Sequence, residues 1–210
     1  MLDARRLGLG LLAAAVLGAA AGLGLYAWRH ASGVDDGLRK ARWMEDVMFG
    51  RAPIGGPFTL TDTKGQRRSL GDFRGRIVLL YFGYTSCPDV CPTDLMQIAA
   101  VLSQLGPRAE QVQALFVTFD PERDTPKHLD SYLKDFDPRL IGLTGTPEEI
   151  ETAAKLWRVY YAKVPMPDGN YLIDHTAYTF VIDEEGRYAG VFPPGTEAGR
   201  MLALMGSMLR

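Results

Sequence analysis

The sequence predicts an α/β domain built on a mixed central sheet with helices on both faces, preceded by one N-terminal transmembrane helix. Three observations predict it. Two apolar stretches, IVLLYF at 77–82 and VQALFVTF at 112–119, read as strands buried on both faces, and each leads into a segment of helical period. Two strand-like segments near the C-terminus, 177–182 and 188–192, are joined by the turn Asp183-Glu184-Glu185-Gly186. The chain also opens on an apolar run, Leu7 to Trp28, of 22 residues without a charge.

That run comes first in order. As a helix it would reach about 33 Å, enough to cross a hydrocarbon core. Arg5 and Arg6 precede it, and Tyr26 and Trp28 stand at the far end, where amphipathic rings favour the interface. Residues 1–28 are therefore expected to be a membrane anchor with the rest of the chain outside the cytoplasm, although Arg29 weakens the charge asymmetry. A cleaved signal peptide is the alternative, with Ala19, Ala20 and Ala21 offering a cleavage site. Either outcome exports the bulk of the chain to oxidising surroundings. Gly18 and Gly22 form a G-x-x-x-G pair that can serve helix dimerisation, a cheap pattern in a Gly- and Ala-rich span.

Residues 29–52 are charged and read as a stalk, partly helical, in which Met44 and Met48 lie one helical turn apart as packing residues or soft thioether ligands. The globular domain is placed at 53–210. Phe58–Thr61 and a segment near Arg67 flank the turn signal Asp62-Thr63-Lys64-Gly65. Helices are expected over 93–105, over 126–136 with Pro126 at the start, and over 147–157 with Thr146 as N-cap. Short strands are expected over 140–143 and 159–163, a loop over 165–170, and a closing helix from Thr196. The strands at 77–82 and 112–119 should run parallel, joined by a right-handed crossover.

Composition narrows the function. The chain is 47% hydrophobic and 23% charged, as globular proteins are, and its net charge of −2 gives no reason to expect a nucleic-acid partner. Two cysteines cannot form a disulfide scaffold, and a staple between residues four apart would remove little chain entropy.

The pair itself, Cys87 and Cys91, lies in FGYTSCPDVCP at 82–92, where a buried parallel strand passes into a helix. Functional groups gather at that edge of such sheets. Pro92 fits best at the first helical position, which puts Cys91 at or near the N-cap, where the helix end favours thiolates. Of three histidines, His30 falls at the membrane interface and His128 in a polar helix. His175 precedes the strand at 177–182. If that strand runs antiparallel to 77–82, His175 arrives beside the cysteines although it lies 84 residues beyond Cys91. Two thiolates and an imidazole form a soft donor set suited to trigonal Cu(I), or to Cu(II) with a further ligand, whereas structural zinc takes four protein donors. Asp120 and Asp124 follow the second buried strand at the same edge, and Asp174 adjoins His175; these are candidates to support the metal ligands, to cap helices and turns, or to meet a partner.

At these residues the chain resembles the Sco (SenC) family of copper chaperones for cytochrome c oxidase assembly. The resemblance rests on FGYTSCPDVCP at 82–92, VTFDPERDTP at 117–126 and DHTAYTFVIDEEG at 174–186, and covers about residues 53–210. It implies a thioredoxin-like fold binding one copper ion through Cys87, Cys91 and His175. It also implies delivery of copper to the dinuclear copper A site of an oxidase subunit, or reduction of that subunit's cysteines, with other copper chaperones or thiol reductants as further partners. The alternative is a membrane-anchored thiol–disulfide oxidoreductase in which Cys87 attacks and Cys91 resolves. Peroxide reduction, which needs one activated cysteine, is disfavoured by the pair. No Arg- and Ser-rich leader opens the chain, so a bacterial inner membrane with a periplasmic domain is expected in preference to a mitochondrion.

Overall fold

The computed structural model describes the backbone of residues 4–209 and their side chains, apart from those of 4–15, 29 and 31–35. The chain divides into two units, Met1–Glu45 and Asp46–Arg210.

α1 (Ala4–Met48), all but its last three residues in the first unit, is a single helix of 45 residues, so the segment expected as a stalk is helical as far as Met48. Alanine, leucine and arginine give it high intrinsic propensity, and Asp36 pairs with Arg39 and Lys40 at 2.9 Å each, one turn along the same face. Among the described residues no helix is long and apolar enough to cross a membrane. The first part of the expected anchor, residues 7–15, lies outside the described side chains. In the described part, Val16, Leu17, Leu23, Leu25, Tyr26 and Trp28 are all exposed.

The second unit is a seven-stranded sheet with helices packed on it. Its strands are β1 (Thr59–Asp62), β2 (Arg67–Ser69), β3 (Ile77–Gly83), β4 (Val112–Thr118) and β5 (Ile141–Thr144), and further β8 (Thr179–Ile182) and β9 (Tyr188–Phe192). The spatial order is β2-β1-β5-β4-β3-β8-β9. β3 and β4 pair in parallel over their whole length, from Ile77↔Val112 to Gly83↔Thr118, and every residue of both is buried. This accounts for their unalternating composition: a strand covered on both faces has no polar side to show. β8 runs antiparallel to β3, with Tyr81 opposite Thr179.

Both hairpin turns form as their sequences predict. Gly65 and Gly186 carry φ of 77° and 84°, and the Asp62 and Asp183 carboxylates each accept backbone N–H groups two and four residues on. The helices are α2 (Val90–Leu105), α3 (Pro126–Lys134), α4 (Pro147–Leu156) and α5 (Ala198–Met205). α4 opens on a capping box in which the Thr146 hydroxyl takes the Glu149 N–H and the Glu149 carboxylate takes the Thr146 N–H. Trp157, Tyr81, Tyr84, Phe82 and Phe116 are the largest fully buried side chains; burying such a side chain stabilises the fold by about 1.5–3 kcal/mol.

Two local expectations are corrected. α2 begins at Val90 with Asp89 in the N-cap position, two residues before the start expected at Pro92, and Cys91 lies in the first helical turn, near the cap as expected. Pro92 is tolerated there because first-turn N–H groups have no intrahelical acceptor. The segment before β8 also holds an unexpected strand. β6 (Tyr161–Pro165) and β7 (Tyr171–His175) form a separate two-stranded sheet, in register from Tyr161↔His175 to Pro165↔Tyr171. His175 ends β7, and three residues separate it from the start of β8.

Candidate metal centre

Because β8 is antiparallel to β3, the C-terminal end of β3 and the N-terminal end of β8 meet at one sheet edge. The cysteine loop leaves that edge from Gly83, and β7 reaches it at His175. Cys87 is half-buried in the loop, its N–H bonded to the Tyr84 carbonyl at 3.2 Å, and Cys91 is fully buried in the first turn of α2. Both cysteines are free. The Sγ atoms of Cys87 and Cys91 and a ring nitrogen of His175 all lie within 4.8 Å of one another.

The imidazole is oriented for this. Nδ1 lies 3.1 Å from the Thr176 carbonyl, which can only accept, so Nδ1 carries the hydrogen. Nε2 is left with its lone pair directed at Cys91 Sγ, 3.4 Å away. Two aromatic rings fix the ring plane: Tyr84 meets it edge-on at 5.8 Å and Phe119 lies tilted at 5.3 Å.

The two thiols are unlike. Hydrogen bonding from Cys91, helped by the Asp89 and Cys91 N–H groups, outweighs burial and holds the Cys87 thiol down at about 3. Cys91 is pushed above its ordinary range because its hydrogen is bonded to Cys87 and because it is buried. The pair thus holds one thiolate, the more accessible one, and one thiol. A shallow cleft of about 300 Å³, with Tyr84, Pro88, Val90, Leu172 and His175 in its walls, opens onto Cys87.

The three acidic candidates stand around the donors without touching the imidazole. Asp124, fully buried, accepts the Thr85 N–H at 3.0 Å and the hydroxyls of Thr85 and Thr118, so it holds the start of the cysteine loop. Asp120, also buried, accepts the Tyr171 hydroxyl at 2.8 Å and pairs with Arg123. Asp174 is exposed on β7 opposite Ala162. His30 packs on Tyr26 within α1, and His128 is exposed but lies 3.0 Å from the Thr85 hydroxyl. Sequence reasoning missed Tyr84, whose hydroxyl accepts the Ile173 N–H at 3.1 Å and so ties β7 to the cysteine loop. A tyrosine directly after a buried strand at the functional edge was the available signal. It also missed Arg123, which only the tertiary contacts reveal.

Chemically, two sulfurs and a pre-oriented imidazole at one point form a three-coordinate site for a soft cation, and an accessible thiolate beside a buried thiol can exchange with disulfides.

A family model described as SCO1/SenC matches residues 47–210. The mitochondrial SCO1 homolog of Homo sapiens is 37% identical over 165 residues, 77% of this chain and 55% of that protein. This chain thus spans only about half the length of that relative. A SCO2-like protein of Rickettsia prowazekii (strain Madrid E) is 43% identical over 137 residues, 64% of this chain and 67% of that protein. Among solved structures, ScoI of Bradyrhizobium japonicum with copper bound superposes with a TM-score of 0.70 at 44% identity, covering 74% of this chain and 99% of that one. Matched along most of its length in sequence and in fold, the chain belongs to the SCO1/SenC family.

Proposed function

We propose that this protein is a membrane-anchored copper chaperone that binds one copper ion through Cys87, Cys91 and His175 and delivers it to the copper A site of cytochrome c oxidase. The observation that carries the reading is the convergence of two sulfurs and the lone pair of Nε2 within 4.8 Å. A dithiol exchanger has no need of the imidazole. That the Bradyrhizobium relative was solved with copper supports the choice of metal. Trigonal donors suit Cu(I), and a fourth ligand would admit Cu(II). Delivery proceeds by ligand exchange, in which thiolates of the receiving subunit replace Cys87 first, because it is the accessible sulfur, and Cys91 afterwards.

In this reading residues 1–28 form the anchor, 29–52 the stalk and 53–210 the thioredoxin-like copper-binding domain, held on the periplasmic side of a bacterial inner membrane. The exposed apolar side chains between Val16 and Trp28 support it, since a hydrocarbon environment suits such a surface.

One observation favours a second activity at the same residues. The lowered pKa of Cys87 and its accessibility suit attack on a disulfide of the receiving subunit, with Cys91 resolving the mixed disulfide. The full reduced chain, loaded with Cu(I) and mixed with a copper A domain, separates the two. His175→Ala should weaken Cu(I) binding and slow transfer while leaving disulfide reduction within about threefold of the parent. Undiminished copper affinity in that variant would remove His175 from the site and leave the dithiol activity as the function.

A further inference from the structure

The loop that follows β4 touches both halves of the site. Through Asp124 it holds Thr85 at the start of the cysteine loop. Through Asp120, Glu122 and Arg123 it holds the β6–β7 hairpin, which carries His175 and is not hydrogen-bonded into the main sheet as a strand. Arg123 makes the most of these contacts. Its Nε is bonded to Asp120, and its Nη1 donates to the Tyr171 carbonyl at 3.1 Å and to Asn170 Oδ1 at 3.0 Å. Its guanidinium lies 3.8 Å from the centre of the Tyr171 ring and 5.9 Å from that of Tyr84, the residue that meets His175 edge-on. Among the described residues Nη2 is buried with no hydrogen-bond partner, a cost that the other contacts of the guanidinium must offset. A planar fork stacked on one ring while donating in two directions is a geometry that lysine cannot reproduce.

We propose that Arg123 is a positioning residue for the copper site, bracing the β6–β7 hairpin so that His175 is presented to the two sulfurs. The inference rests on the reading of Cys87, Cys91 and His175 as copper ligands. Arg123 touches no ligand itself. It acts at Asn170 and Tyr171, and β7 carries the constraint four residues along to His175.

A double-mutant cycle on the full, reduced chain tests this, with Cu(I) affinity measured by competition against a chromophoric chelator. Arg123→Met keeps the length of the stem and removes the fork. It should weaken Cu(I) binding about 10- to 100-fold, the usual effect of losing a group that orients a metal ligand. The rate at which Cys87 is alkylated should not change. In the His175→Ala background the same substitution should add less than about threefold, because the imidazole it positions is gone. Arg123→Lys, which retains the pairing with Asp120, should fall between Met and the parent, and it carries the comparison if the Met variant does not fold. Equal losses in both backgrounds, or no loss in either Arg123 variant, would overturn the proposal. If His175→Ala alone left affinity unchanged, the reading of the ligands would fail instead.

Discussion

Cys87 and Cys91 occupy one site yet hold their protons in opposite ways. Cys87 sits below its ordinary value of 9.0, at about 3, mainly because Cys91 donates a hydrogen bond to it. Its ionised form therefore contributes stability that is fully present above pH 9 and is lost as pH falls through 3. Cys91 is raised, so its contribution is fully present below pH 9 and is lost as pH climbs beyond it. Between those limits the reduced, metal-free chain carries one thiolate and one thiol. Iodoacetamide should label Cys87 at a rate nearly constant from pH 5 to 8, with Cys91 unlabelled in the native state, as peptide mass spectrometry would report. A Cys87 rate that climbs tenfold per pH unit across that range would contradict the assignment. Asp124 gives a second test at this scale. It is fully buried and accepts from Thr85 and Thr118, so Asp124→Ala strands those donors. Each orphaned buried donor costs about 1–3 kcal/mol. A loss of about 2–4 kcal/mol in urea unfolding is expected, and a loss under 1 kcal/mol would show that the cysteine loop is held by other contacts.

Among the elements, the junction of β3 with the cysteine loop is the most constrained. A methyl group at Gly83 would come within 2.9 Å of Cys91 Sγ and 3.0 Å of the Phe116 and Tyr81 rings. Glycine is needed there for close approach, because its φ is not positive. Gly83→Ala should destabilise the fold by about 1–3 kcal/mol and displace the Cys91 sulfur, weakening copper binding more than a surface substitution of equal stability cost. Thermal unfolding paired with copper titration would read both effects, and an unchanged affinity would mean the sulfur has room to shift. The elements also show what a sequence can and cannot convey. β3 and β4 were legible because double-sided burial leaves an apolar run, and pairing His175 with the cysteines followed from the direction of β8 against β3. β7 was not legible. Its apolar residues, Tyr171 to Ile173, stop after three positions and show no alternation, too little to read as a strand. The start of α2 was read two residues late because Pro92 was given the first helical position, whereas the helix holds it as its third residue, still within the first turn.

For the molecule as a whole, the sheet works as a rigid bracket that brings three donors from distant parts of the sequence to one rim. The cysteine loop is fixed by β3 and α2, the imidazole by a hairpin outside the main sheet, and the two are linked through Tyr84 and the loop after β4. The acidic residues of that loop were legible as belonging to the rim. Their task was not, since they brace the ligand-bearing segments instead of touching the imidazole, a distinction that exists only once β7 is folded against them. Copper K-edge X-ray absorption on the full chain loaded with one equivalent of Cu(I) tests the resulting account most directly. Two sulfur scatterers at about 2.2–2.3 Å and one imidazole nitrogen at about 2.0 Å are expected, by analogy with the distances of other soft-metal sites, with the nitrogen lost in His175→Ala. A shell of sulfur alone in the parent chain, or a nitrogen shell that survives the substitution, would contradict it.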